Sequence, residues 1–174
     1  GYGSVVKIAT LWAPGRLGYL RGLKKARQNG RRPACFLCQA LKDGEGPDSL
    51  VVERRRHAFC ILNKYPYNIG HLMVVPVRHT ADFASLSRFE LAQMSDLTQS
   101  YLQALRKLLA PDGFNLGTNL GRAAGAGLET HLHQHVVPRW IADTNFVTVL
   151  GGARVISMTL EDLYRGLRRL RRLA

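Results

Sequence analysis

His131, His133 and His135 take alternate positions in His131-Leu132-His133-Gln134-His135-Val136-Val137-Pro138-Arg139, and this pattern restricts the fold sharply. In an extended strand alternate side chains share a face, so the three imidazoles stand on one side while Leu132 and Val136 face the other. A helix would scatter the same residues around its axis. The segment therefore predicts a strand with one buried face and a second face carrying three rings spaced ~7 Å along the chain. Half of the chain's six histidines lie in these five residues, and histidine is the side chain that ordinarily titrates near neutral pH.

The flanking sequence supplies partners for such a strand. Leu50-Val51-Val52-Glu53 and His57-Ala58-Phe59-Cys60-Ile61-Leu62 read as two strands separated by three arginines. Pro66, Asn68 and Gly70 break the chain before a third, His71-Leu72-Met73-Val74-Val75. Ser87 and Glu90 form a capping box for one long helix. Leu91, Met94, Leu97, Tyr101, Leu105 and Leu108 give that helix a buried face, and Pro111-Asp112-Gly113 ends it. Phe114–Asn119 reads as a fourth strand, the histidine segment as a fifth and Phe146–Leu150 as a further one. From Thr159 a second helix places Leu160, Leu163, Leu167 and Leu170 on one side and arginines on the other. Strands that come in runs point to an antiparallel α+β domain. We read residues 1–34 as a basic, Gly- and Pro-rich arm packed on a single domain spanning 35–174.

Twenty-five basic residues against twelve acidic ones give a net charge of +13, which favours anionic partners. The basic clusters are spread over the chain rather than gathered on one recognition element, which argues against nucleic acid. No apolar run approaches the ~18 residues that cross a bilayer, so no membrane partner is expected. Three cysteines without an export signal make the cytoplasm the expected compartment.

Cys35-Phe36-Leu37-Cys38 brings two thiols together on a tight turn, a spacing suited to tetrahedral zinc, to redox chemistry or to no function. With His79 and His131 added, the set becomes Cys₂His₂, and thiolates with neutral imidazoles suit zinc. Cys60, inside an apolar strand, reads as core. Between Asn119 and the triad, Gly121, Gly125 and Gly127 let the backbone approach a ligand and turn N–H groups toward an anion. Phosphate held there beside a neutral imidazole is arranged for nucleophilic attack on phosphorus. No serine or cysteine stands out as nucleophile, which leaves histidine itself. A three-histidine zinc centre is the rival, but rings spread over ~13 Å of strand cannot all reach one ion.

The run His131-Leu132-His133-Gln134-His135-Val136-Val137 resembles the signature of the histidine-triad (HIT) nucleotide-binding proteins, and Asn68–Pro76 resembles their glycine–histidine segment. The likeness covers roughly residues 35–140. Leu11-Trp12-Ala13-Pro14, Asn63–Asn68 and Pro138-Arg139-Trp140 are similar to a bacterial branch of diadenosine tetraphosphate phosphorylases and related hydrolases. The resemblance implies a sheet of about five strands with a long central helix and a C-terminal helix, dimerising into a continuous sheet. It implies cleavage of dinucleoside polyphosphates by His133 through a covalent nucleotidyl intermediate, with His135 contacting phosphate oxygens. Asn119, Gly125 and Gly127 would hold phosphate, Asn63 the ribose, and Phe59, Ile61 and Trp140 the base. Cys35, Cys38, His79 and His131 map to the zinc ligands of zinc-containing members.

Two departures stand out. Gly127 replaces a side chain that touches phosphate in many members, and Gln134 puts a polar residue at an apolar position. His135, where the uridylyltransferase branch has glutamine, disfavours transfer between sugar phosphates. The acceptor, water or inorganic phosphate, stays open. The alternatives are an adenosine 5′-phosphoramidate hydrolase of the same family and a non-catalytic nucleotide- or nucleic-acid-binding protein.

Overall fold

The structure is a computed structural model that describes residues 34–141, 143 and 158–171. The arm expected over 1–34 (Ala34 apart) and the strand expected at 146–150 lie outside the described residues. In chain order the elements are α1 (Phe36–Asp43), β1 (Val51–Arg54), β2 (Ala58–Leu62), β3 (Leu72–Pro76), α2 (Arg88–Leu109), β4 (Gly113–Thr118), β5 (Gln134–Arg139) and α3 (Leu160–Arg171). The five strands form one antiparallel sheet in the order β1-β2-β3-β5-β4. The fold is α+β, as the runs of strands predict.

β2 and β3 are buried at every position because helices cover both faces of the sheet. On one face Ala58, Cys60, Leu62, Leu72, Val74 and Val136 pack under Met94, Leu97, Tyr101 and Leu105 of α2 and Leu163 and Leu167 of α3. On the other, Phe59, Ile61, Met73 and Val75 pack under Leu37 and Ala40 of α1. The period of two within each strand sorts its residues between these layers. Burying one such leucine contributes ~1.5–3 kcal/mol, and truncating the fully buried Leu97 to alanine costs ~2–5 kcal/mol. Leu91 departs from the expected buried face: it stays 39% exposed, while the polar Glu90 and Thr98 are buried.

Glu90 is buried for an electrostatic reason. The Ser87 hydroxyl accepts from the Glu90 N–H, and the Glu90 carboxylate accepts from the Ser87 N–H at 2.8 Å, so the predicted capping box is formed. Arg78, just past β3, donates two further bonds to the same carboxylate at 2.9 and 3.1 Å. That hydrogen-bonded guanidinium is the main reason the Glu90 carboxyl is pulled down to about 2. Two arginines of α3 serve docking, while Arg165 pairs within the helix and Arg169 is exposed. Arg168 and Arg171 reach Glu45 and the Val52 carbonyl, and Arg171 lies 3.4 Å from the buried Glu53, which also accepts from Tyr101.

Candidate active site and metal centre

The sequence predicts pairing from His131, but the β5 ladder begins at Gln134. The backbone just upstream is taken by the chain after β3: the Leu132 N–H donates to the Thr80 carbonyl at 2.7 Å. The alternation survives without the ladder. Leu132 and Val136 point into the helix-side core, and the Gln134 side chain lies 3.2 Å from the Thr98 hydroxyl of α2. This contact accounts for the polar residue on the reverse face. The three imidazoles lie on the opposite side and have separate partners.

His131 is 1% exposed and joins a sulfur-rich cluster. Its Nδ1 lies 3.3 Å from Cys35 Sγ and 3.4 Å from Cys38 Sγ, and His79 Nδ1 lies 3.2 Å from Cys38 Sγ. All four ligand atoms fall within 4.8 Å of one another. Tetrahedral zinc bonds of ~2.0–2.3 Å place ligand atoms ~3.3–3.8 Å apart, close to the three sulfur–nitrogen separations here, so the four atoms could close on one ion with a small adjustment. The His131 Nε2–H donates to the Pro76 carbonyl at 2.9 Å, which leaves Nδ1 as the unprotonated nitrogen, able to ligate a metal. Burial, chiefly, pushes His131 down to about 4 and keeps it neutral. Burial and the adjacent Cys35 push the Cys38 thiol up to about 11, a shift that a divalent cation among the ligands would oppose. The thiols do not sit on a tight turn, as the sequence suggests. Cys35 caps α1 and Cys38 lies in its first turn, where residues three apart share a face.

His133 is buried, and its Nδ1–H donates to the His131 carbonyl at 2.9 Å. This bond assigns the lone pair to Nε2, and burial holds the ring below the ordinary histidine range, hence neutral. The neighbouring rings of His133 and His135 stand 5.0 Å apart, edge to face. His135 is held differently. The Tyr67 backbone N–H donates to His71 Nδ1 at 3.0 Å, so His71 carries its proton on Nε2. That nitrogen lies 2.9 Å from His135 Nδ1, which therefore accepts, and His135 presents Nε2–H outward. The relay sets a lone pair on His133 beside an N–H on His135.

Both rings line a cavity with Asn63, Lys64, Tyr65, Tyr67, Asn119, Gly125 and Gly127, and with an apolar wall of Phe36, Met73 and Leu128. Asn63 is oriented by the Tyr65 N–H, which donates to its Oδ1 at 2.9 Å. The Gly125 N–H donates to the Arg122 carbonyl within the loop at 2.9 Å, so this amide is engaged before any phosphate arrives. Phe59 and Ile61 do not line the cavity; they are buried beneath α1 one layer behind. Trp140 sits half-buried just past β5, where its backbone N–H donates to Asp143, and it does not line the cavity either.

A family model described as the HIT domain matches residues 44–140. The chain belongs to the HIT family. An AP-4-A phosphorylase of Mycobacterium tuberculosis is 41% identical over 169 residues, covering 95% of this chain and 85% of that protein. With that likeness along nearly its whole length, the chain is a HIT-type enzyme. A Zn-bound histidine triad family protein of Mycobacterium smegmatis superposes with a TM-score of 0.64 at 29% identity, over 80% of this chain and 95% of that one. A hypothetical histidine triad nucleotide-binding protein of Sulfolobus tokodaii gives 0.62 at 27%, over 78% and 90%. Among the described residues no helix is long and apolar enough to cross a membrane.

Two features of this HIT site escape a residue-by-residue reading. His71, read from the sequence only as the start of a strand, is 0% exposed and sets the tautomer of His135. Strand alternation does place it on the face of Met73, but only the pairing of Met73 with His135 shows which ring it meets. The apolar wall of Phe36, Met73 and Leu128 comes from three distant segments with no shared motif.

Proposed function

We propose that this HIT enzyme cleaves dinucleoside polyphosphates through a nucleotidyl-histidine formed on His133. The observation that carries the reading is the opposite wiring of adjacent rings, a lone pair on His133 Nε2 and a proton on His135 Nε2, facing one cavity. His133 Nε2 attacks the α-phosphorus, a P–N bond forms, and the P–O bond to the leaving nucleoside polyphosphate breaks. His135 Nε2–H bonds to the departing oxygen and stabilises its developing charge. An acceptor then attacks the same phosphorus and releases His133 as neutral imidazole. The AP-4-A phosphorylase relative supports inorganic phosphate as that acceptor. Asn119 and Gly127 hold the phosphates beside Lys64, Asn63 faces the ribose, and the apolar wall takes the base.

Cys35, Cys38, His79 and His131 would hold zinc, which supplies a structural cross-link between α1 and the histidine segment. β4 ends the sheet with Asn115, Leu116 and Gly117 exposed, and a second copy paired along it would continue the sheet, making a homodimer detectable by light scattering.

The test is product analysis with diadenosine tetraphosphate, with and without inorganic phosphate, beside intact-mass measurement. The reading expects sustained turnover to ADP and ATP when phosphate is present, and, when it is omitted, one AMP adduct on the protein with one equivalent of ATP released and no ADP. Turnover with no adduct on any histidine would reject the covalent route.

A further inference from the structure

The first turn of α1 faces three ways. Cys35 and Cys38 point to His79 and His131, Leu37 is fully buried in the core, and Phe36 lines the nucleotide cavity while 38% exposed. Cys35 makes no side-chain capping bond, so this helix end lacks the usual polar anchor. The cysteine–histidine cluster on one side and the buried Leu37 on the other then hold the rotation of the turn about its axis, and with it the position of the Phe36 ring. The same cluster fixes His131, whose carbonyl receives the His133 Nδ1–H. One set of four ligands therefore holds both the base wall and the nucleophile's partner.

We propose that metal and nucleotide bind this protein cooperatively, with Phe36 as the nucleoside-binding residue that transmits the coupling. The inference rests on the nucleotide reading given above and adds to it a residue and a linkage. Because linkage is reciprocal, the factor by which zinc tightens nucleotide must equal the factor by which nucleotide tightens zinc.

The experiment uses the full chain with AMP as the nucleotide probe. AMP affinity is measured by calorimetry on zinc-loaded and chelator-stripped protein, and zinc affinity by competition with a chromophoric chelator, with and without saturating AMP. We expect stripping to weaken AMP by about tenfold and AMP to tighten zinc by the same factor. Phe36→Ala should weaken AMP by about tenfold in the loaded protein, leave zinc affinity without AMP unchanged and abolish the effect of AMP on zinc; Phe36→Tyr should restore AMP affinity and that effect. Circular dichroism follows the fold. Should stripping unfold the chain, the Phe36→Ala comparison on loaded protein decides. Equal AMP affinity with and without zinc, or a Phe36→Ala protein whose zinc affinity still responds to AMP, would overturn the coupling and leave the nucleotide reading intact. AMP that binds neither form removes the nucleotide reading and this inference together, whereas failure to bind zinc removes this inference alone.

Discussion

His131 and His133 are the same residue two positions apart, yet their rings are held in opposite senses. His131 gives its Nε2–H to the Pro76 carbonyl and turns Nδ1 to two thiols. His133 gives its Nδ1–H to the His131 carbonyl and turns Nε2 to the cavity. Both are buried and held below the usual histidine range mainly by burial, so charge does not distinguish them. What differs is which nitrogen a backbone carbonyl engages. That choice turns one ring's lone pair toward the thiols and the other's toward the cavity.

The largest effect should come from breaking the nucleophilic side of this contrast. His133→Ala is expected to lower turnover of diadenosine tetraphosphate by ~10⁴-fold or more, read by chromatography of products. Activity near that of the parent would show that both rings are structural. The second sharpens the role of His135 through its neighbour. His71→Ala removes the donor to His135 Nδ1, so kcat should fall by ~10²-fold with a natural leaving group. The defect should shrink with a p-nitrophenyl nucleotide ester, whose leaving group needs no proton. An equal defect with both substrates would make His71 a packing residue only.

The third prediction concerns the frame rather than the chemistry. Gly70 adopts φ +79°, and a Cβ there would stand 2.7 Å from Leu109 Cδ1 and 2.9 Å from Pro138 Cγ. Gly70→Ala should therefore destabilise the chain by ~2–3 kcal/mol in urea unfolding while metal binding is kept. An unchanged midpoint would mean that the turn before His71 is more adaptable than this contact allows. The smallest effect is at Glu90, which bonds to neither histidine. Its folded value of about 2 lies below the ordinary 4.5, so its stabilisation is present above pH 4.5 and is lost as pH falls toward 2. Glu90→Gln should cost about 1 kcal/mol at pH 7 and progressively less below pH 4.5. A pH-independent difference would assign the effect to packing.

Much of the framework was readable because its signals are local. The capping box at Ser87 needs four consecutive residues, and the triad's face needs only period-two alternation. The misses share a cause. The cysteine pair reads equally well as a turn or a helix start, and burial of Leu37 in the core favours the helix. Phe59 and Ile61 alternate correctly for a pocket-facing strand, but α1 covers that face and only Met73, one strand nearer the triad, lines the cavity.

Residue type and spacing in the chain were enough to place three imidazoles on one side of an extended segment and to nominate four metal ligands. They could not say which nitrogen of each ring faces outward, because that depends on the carbonyls of Pro76 and His131 and on the Tyr67 N–H held across the β3–β5 pairing. Alternation is a property of one strand, whereas a tautomer is set by whatever the folded neighbours donate or accept.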